Sequence, residues 1–474
     1  MSIYFSLSQL CTILKTNLIA LSSNVADDSV VGITTDSRNV KPGEIFIALV
    51  GENFDGHNFV ESAVSQGAIA VVVSQSQISS DIPQFVVQDT LKAYQQIAQW
   101  WRDRFEIPVI GITGSVGKTS TKELVSAVLS TQGKVLKTEA NFNNEIGVPK
   151  TLLQITPEHN YAVIEMAMRG EGEIALLTDI ARPTIGIITN VGTAHIGRLG
   201  SREAIARAKC ELLAQMPDSS VAILNYDNSL LIETAGIWQG KTITYGFTGG
   251  DISGEIINLA TLRVFDKDLP LPLPGKHNAS NYLAAIAVAQ VLNIDLTPLI
   301  AELKVELPQG RSRRYDLPND LVVLDETYNA GLESMLAALQ MLKQTPGKRH
   351  IAVLGTMKEL GEHSPQLHRQ VGKKAQELNL DLLLILADEA ATQEIARGAE
   401  KITTECFSDR ASLTRKLKEM MRSGDRILCK ASNSVGLNKV VDELISDNER
   451  VAKQLEITES IISEDRNVLK KLAE

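Results

Sequence analysis

The sequence predicts an α/β protein of three domains, and three observations carry that prediction. Its 474 residues exceed what one hydrophobic core organises at ~100–200 residues per domain. Apolar strand-like runs alternate with stretches of helical apolar spacing, and the alternation restarts twice, at IPVIGIT (107–113) and at DLVVLDE (320–326). Between the first of these runs and the helix-like TKELVSAVLS lies a glycine-bearing junction, GITGSVGKTS (111–120).

The first domain is read over 1–105. Within it VVGITT, EIFIAL, AIAVVVS and QFVVQ are short apolar runs separated by polar turns, with one helical stretch around FVESAVSQG. This is a small N-terminal α/β domain. The second spans 106–312: KVLKT, YAVIEM, TIGIITN and SVAILN are strand-like, and TKELVSAVL and SREAIARAKCELLAQM are helical. ITYGF, EIINLATLRVF and a helix opening near Asn278 follow. A mainly parallel sheet with helices on its faces accounts for this pattern. The third, 313–447, has a strand ending at Asp325, a loop and a long helix, then strands in HIAVLGTMKELGE, LDLLLILADE, KITTECF and DRILCKASNS. That is a doubly wound, Rossmann-like C-terminal domain. Residues 448–474 are charged, with Leu and Ile at helical spacing, and predict a solvated helical tail.

Composition narrows the function. With 22% charged residues and a formal net charge of -10, the chain offers no electrostatic reason to bind nucleic acid. Cys11, Cys210, Cys406 and Cys429 show neither CxxC spacing nor nearby histidine pairs, so no disulfide framework or zinc site is predicted and a cytoplasmic location is expected. The opening MSIYFSLSQLCTILKTNL lacks the positive cluster of a signal peptide. No run approaches the ~18 apolar residues of a membrane span.

The junction at 111–120 carries the chemistry. A strand delivers the chain to Thr113, Gly114 and Gly117 let backbone N–H groups turn toward a polyanion, and the helix from Thr119 adds its positive end. Lys118 can neutralise terminal phosphates, and the Thr119 hydroxyl can ligate magnesium. The usual phosphate loop has a glycine where Ile112 stands. Even so, Gly-Lys-Thr-Ser at a strand-to-helix junction favours a nucleotide over a plain turn, and makes the central domain a P-loop-type ATPase domain. Glu165 closes YAVIEM in the same sheet, where its carboxylate could hold magnesium or simply be a satisfied edge group. Spacing alone reads His195 as structural or exposed and Lys209 as a surface lysine. Asp325, Tyr328, Asn329 and Lys430 follow apolar runs, where open α/β sheets read their ligands. Arg311 places a guanidinium near a domain seam, suited to phosphate.

The run Thr113, Gly114, Ser115, Val116, Gly117, Lys118, Thr119, followed by Ser120, resembles the TGxxGK[ST] loop of the Mur ligases. These enzymes join amino acids or a dipeptide to a UDP-sugar carboxylate, and their loop lacks the early glycine. The similarity runs from about residue 30 to 445, through TTDSRNVKPGEIFIALVGENFDGHNF, NFNNEIGVPKTLL, NVGTAHIGRLGSREAIARAKCELL, LPGKHNASNYLAA, LDETYNAGLESM and LGTMKELGE. Among the members, those that add D-alanyl-D-alanine to UDP-N-acetylmuramoyl-tripeptide are most similar. The resemblance implies an ATP-dependent ligase of peptidoglycan precursor synthesis that works through an acyl phosphate, as a monomer with no membrane span.

Carried over by residue, the resemblance implies that Lys118 clamps phosphate. Thr119, Glu165, His195 and Lys209 surround two magnesium ions, with Lys209 as a carbamate. Asn278, Asn281, Arg311 and Asp325 join the loop in contacting the nucleotide. Asp36, Ser37 and Arg38 meet the UDP portion, while Asn143, Asn144, Tyr328, Asn329 and Lys430 meet the remaining substrate. Four positions depart from the pattern of the dipeptide-adding members, which carry Gly, Asp, Gly and Arg where this chain has Ala167, Thr356, Ala431 and Asn433. The rival readings are a ligase adding a single amino acid, a folylpolyglutamate synthase, and a P-loop regulatory NTPase. The first two sit poorly with NNEIGVP and LDETYNAGLESM, and the third leaves the DSR stretch at 36–38 unexplained.

Overall fold

The computed structural model describes residues 4–19, 29–76, 82–301 and 303–447; the tail expected to be helical at 448–474 lies outside the described residues. Three main sheets organise the chain. In the first, β1 (Leu18–Ile19), β2 (Gly32–Thr34), β3 (Glu44–Ile47), β4 (Ala70–Val73) and β5 (Gln84–Val86) are ordered β1-β5-β4-β3-β2, parallel except for the β1–β5 pair. All of β4, AVVV, is buried, because a central parallel strand is covered on both faces and needs no alternation. Two helices of this unit are α1 (Leu7–Leu14), closed by a capping box at Ser6, and α2 (Val60–Ser65).

A third, α3 (Thr90–Arg102), is capped by Asp89 and binds the next unit. Gln95 Nε2 donates to Glu145 O at 3.1 Å, Trp101 Nε1 to Ile155 O at 3.0 Å and Arg102 Nε to Ala181 O at 3.0 Å. Neither α1 nor α3 belongs to the sequence-based expectation. The buried face of α3 includes Gln95 and Arg102, whose partners include carbonyls from a distant part of the chain.

The second sheet is built on β6 (Val109–Thr113), β7 (Val135–Lys137), β8 (Tyr161–Glu165), β9 (Ile185–Ile188), β10 (Val221–Asn225) and β11 (Lys241–Gly246), all parallel, in the order β7-β8-β6-β9-β10-β11. β12 (Ile252–Asn258) joins β11 in parallel, and β13 (Thr261–Val264) and β14 (Lys267–Pro270) continue the edge in antiparallel fashion. Alternate residues enter two cores: Ile110, Ile112 and Val163 one, Val109, Ala162 and Ile164 the other. The helices α4 (Lys118–Leu129), α5 (Glu173–Ala181), α6 (Arg202–Gln215) and α7 (Lys276–Val291) divide accordingly. α4 and α7 fill the first core with Leu124, Val125, Leu283 and Ile286; α5 and α6 fill the second with Ile174, Leu177 and Leu212. The chain leaves β6 for β7 and β8 on one side and crosses to β9 on the other. Strand order therefore reverses at β6, and the crevice beyond its carboxyl end is the natural ligand site.

The third sheet contains β15 (Arg313–Leu317), β16 (Leu321–Asp325), β17 (Arg349–Gly355), β18 (Leu382–Leu386), β19 (Thr404–Phe407) and β20 (Asp425–Lys430), ordered β15-β16-β20-β17-β18-β19. All pairs are parallel except β15–β16, and α8 (Leu332–Gln344), α9 (Ser364–Glu377) and α10 (Arg410–Met420) connect them. The three-unit α/β architecture is the expected one. The antiparallel edge β15 is an addition, since RRYDL has no apolar run to announce it.

Candidate active site

The glycines of the loop after β6 are there for steric reasons. Gly114 has φ +153°, and a Cβ on it would lie 1.9 Å from Thr189 Oγ1; Gly117 has φ +83°, and its Cβ would lie 2.6 Å from Asn281 Oδ1. Ile112 is wholly buried and pairs with Glu165 in the sheet, so the turn begins two residues later than in the usual loop. The residues after β9 brace it: Ser115 N–H donates to Asn190 O at 3.1 Å, Val116 N–H to Asn190 Oδ1 at 3.0 Å, and Ser115 Oγ accepts from Gly192 N–H at 2.9 Å. α4 starts at Lys118, so its unpaired first N–H groups and positive end face the same crevice. Lys118 Nζ donates to Gly114 O at 2.8 Å. Burial lowers its pKa, with Glu165 pulling the other way.

Beside the loop, Thr119 Oγ1 donates to Glu165 Oε2 at 2.9 Å and Asn143 Nδ2 to Glu165 Oε1 at 2.8 Å. His195 has φ +68° and caps the short helix Ile196–Leu199, with its Nδ1 2.6 Å from Glu359 Oε2. The contact is close but does not form a well-directed hydrogen bond. Lys209 is not the surface lysine that spacing suggests. It is 1% exposed on α6, and among the described residues its Nζ makes no hydrogen bond or ion pair. Burial, and then the charge of Lys118, hold its amine well below the ordinary lysine range. Burial thus favours the uncharged amine, the form able to take up carbon dioxide.

Among the described residues no three His, Cys, Asp or Glu side chains are grouped to hold a metal ion. A hard cation that keeps waters and takes only one or two protein oxygens, the rest coming from phosphates, fits the Thr119–Glu165 pair.

The loop forms one wall of a cavity of about 680 Å³ whose opposite wall comes from the third unit. Ser115, Val116, Gly117, Lys118, Thr119, Ser120, Glu165, His195 and Asn281 line it from the central unit, and Arg311, Tyr328, Asn329 and Lys430 from the seam and the third unit. Arg311 stacks on the Tyr328 ring, 4.0 Å from its centroid, and its buried Nε lacks a partner among the described residues. Lys430 Nζ donates to Asn329 O at 3.0 Å and lies 3.7 Å from Glu326 Oε2. Burial lowers its pKa against the opposing pull of Glu326.

Other expected site residues lie off the cavity. Asp325 accepts from Thr327 N–H at 3.1 Å and from its hydroxyl at 2.6 Å, and Asn278 Nδ2 donates to Pro274 O at 2.8 Å and Ser312 Oγ at 3.2 Å. Asn144 Oδ1 accepts from Gly147 N–H at 2.9 Å. Asp36 and Arg38 pair with each other at 2.8 Å on the first unit, next to the buried Ser37. Of the departures, Asn433 lines the cavity. Thr356 is buried against Asp388 and Thr392, Ala431 is fully buried, and Ala167 N–H donates to Asn143 O at 2.9 Å.

Cavity residues that sequence reasoning missed include Asn190, His277, Glu326, Glu333, Lys358 and Glu359. Asn190, directly after an apolar strand, carries a usable signal; Glu333 carries none, since an acid in the first turn of a helix is ordinary.

Three family models match the chain: Mur ligase family, catalytic domain over residues 29–99; Mur ligase middle domain over 112–289; and Mur ligase, glutamate ligase domain over 310–433. A UDP-N-acetylmuramoyl-tripeptide--D-alanyl-D-alanine ligase of Synechocystis sp. is 57% identical over 94% of this chain and 98% of its own. The protein of that name from Escherichia coli is 37% identical over 93% and 98%. Among solved structures, MurF from Acinetobacter baumannii superposes with a TM-score of 0.85 at 31% identity, covering 94% of this chain and 99% of that one. MurF ligase from Thermotoga maritima in complex with ADP gives 0.81 at 28%, covering 88% and 98%.

Proposed function

The chain belongs to the Mur ligase family, and from that premise we propose that it is an ATP-dependent ligase joining D-alanyl-D-alanine to UDP-N-acetylmuramoyl-tripeptide in peptidoglycan precursor synthesis. The observation that carries this reading is end-to-end similarity to a relative of that name. The cavity between a phosphate-type loop and a second α/β unit supports it. ATP and a nucleotide-linked substrate support a cytoplasmic location for the reaction. One chain supplies both walls of the cavity, so a monomer suffices.

A carboxylate is a poor electrophile and must be activated before an amine will attack it. A carboxylate oxygen of the tripeptide attacks the γ-phosphorus of ATP, the bond to the bridging oxygen breaks, and ADP leaves an acyl phosphate. The dipeptide amine then attacks the acyl carbon, gives up a proton, and expels phosphate. Bound magnesium would neutralise phosphate charge during the first step. Thr119 and Glu165 are the residues to hold it, with His195 and a carbamylated Lys209 at a second ion. The loop amides and Lys118 bind and orient the phosphates. Asn281 and Arg311 hold the nucleotide on the far side, with Asn278 and Asp325 supporting from behind. Tyr328, Asn329 and Lys430 face the incoming dipeptide from the third unit. Asp36, Ser37 and Arg38 take the UDP end, and Asn143 and Asn144 the peptide. With both walls in place water is excluded, which protects the acyl phosphate from hydrolysis.

Phosphate release from ATP, magnesium and UDP-N-acetylmuramoyl-tripeptide should require D-alanyl-D-alanine and should not be supported by single amino acids. Equal release with no acceptor would overturn the ligase reading. A single amino acid as the better acceptor would replace it with the single-residue ligase.

A further inference from the structure

The segment after β9 that carries His195 is held from the third unit at two points. Glu333, in the first turn of α8, accepts from Thr193 N–H at 2.8 Å and from Thr193 Oγ1 at 3.1 Å. Gly192 permits that approach, since a Cβ on it would lie 2.6 Å from the Glu333 carboxyl carbon. Four residues on, Glu359 O accepts from Gly197 N–H at 3.2 Å, while its carboxylate lies 2.6 Å from His195 Nδ1 and 3.8 Å from Arg198 Nη2. The backbones touch here: a Cβ on Gly197 would lie 2.5 Å from Gly361 N.

His195 and Glu359 both sit at positive φ, +68° and +63°. Non-glycine residues hold that region only where the surroundings over-determine it. Ile196 anchors the loop in its own unit's core, but hydrogen bonds from that unit supply little of the constraint. From Thr193 to Leu199, among the described residues, the hydrogen bonds run within the loop or to Glu333 and Glu359.

We infer that Glu333 and Glu359 are positioning residues, a two-point clasp through which the third unit sets the loop bearing His195. The nucleotide side of the site is then complete only while the two units are docked. Occupying the loop alone, without the third unit, does not fix His195. This inference rests on the proposed ligase function.

The test combines kinetics with amide hydrogen exchange at saturating ATP analogue and magnesium. Glu333→Ala and Glu359→Ala should each lower kcat roughly tenfold or more, with KM for ATP within about twofold, since the contacts act on orientation and not on uniform binding. Glu359→Gln, which keeps a polar side chain of the same shape against His195, should recover most of the loss. Adding Thr193→Val to Glu333→Ala should cost nothing further, because both changes remove the same contact. Exchange over 191–199 should rise in Glu333→Ala while 109–113 stays protected, showing that the central fold is intact. Unchanged exchange in the loop, a raised KM for ATP at unchanged kcat, or losses that multiply in the double variant would each overturn the clasp. Acceptor-dependent phosphate release by the wild type tests the ligase reading separately; if it fails, the exchange measurement still decides whether Glu333 holds the loop.

Discussion

Lys209 is a lysine placed where its charge is least welcome, in the interior of α6 with no counter-ion among the described residues and with Lys118 adding repulsion. That placement fixes the sign of its effect on stability. Because its pKa is lowered on folding, the unfolded chain binds more protons below the ordinary lysine value of 10.5, and stability falls as pH drops from there toward the folded pKa. Lys209→Met removes the penalty at similar volume. In bicarbonate-depleted buffer this variant should melt higher than the wild type at pH 7, with the gain shrinking toward pH 10.5. Its ligation rate should fall roughly 100-fold or more, as when one charge-stabilising group is deleted from a site. Stability rising while activity collapses marks a residue kept for chemistry at a structural cost. A variant that melts lower at neutral pH, or that keeps wild-type turnover, would show that the buried amine is a packing element.

At the scale of elements, β6, β8, β9 and β16 are legible because strands buried on both faces spell out largely apolar runs. The phosphate loop is legible because strand, glycines, lysine and helix are contiguous. What joins units is not local. α3 hides its role since its buried polar groups, Gln95 and Arg102, are satisfied by carbonyls of residues 145 and 181. Glu326, His277 and Glu333 become site residues only when separate units meet. Trp101 shows what such an element contributes. It is 6% exposed, stacks edge-on with Phe105 at 5.3 Å and bonds Ile155 O. Trp101→Ala should cost about 3–5 kcal/mol, from the cavity and the carbonyl left unpaired. Urea unfolding should then show the first unit melting ahead of the others, and a single unshifted transition would show that α3 does not tie the units together.

The whole molecule works as two walls brought to one cavity, and the join between them is short. Gly310 has φ +76° and accepts at its carbonyl from Tyr328 N–H at 2.9 Å. Ser312 is bound on one side by Asn278 of α7 and donates on the other to Glu326 Oε1 at 3.1 Å. The three residues 310–312 thus connect the central unit, the Arg311–Tyr328 stack and the end of β16. Gly310→Ala places a Cβ 2.8 Å from Tyr328 N in a backbone region that alanine avoids, so the third unit must shift to accommodate it. Neither unit's core is touched, and circular dichroism should be unchanged. The loop amides and Lys118 remain in the central unit, so nucleotide affinity should stay within roughly tenfold. Misplacing reacting groups by about 1 Å costs on the order of 10²-fold in rate, and kcat for ligation should drop by that amount. Such a split, with binding retained and turnover lost, places the defect in the relation between the walls. Equal losses in affinity and kcat would instead locate it in the nucleotide site itself.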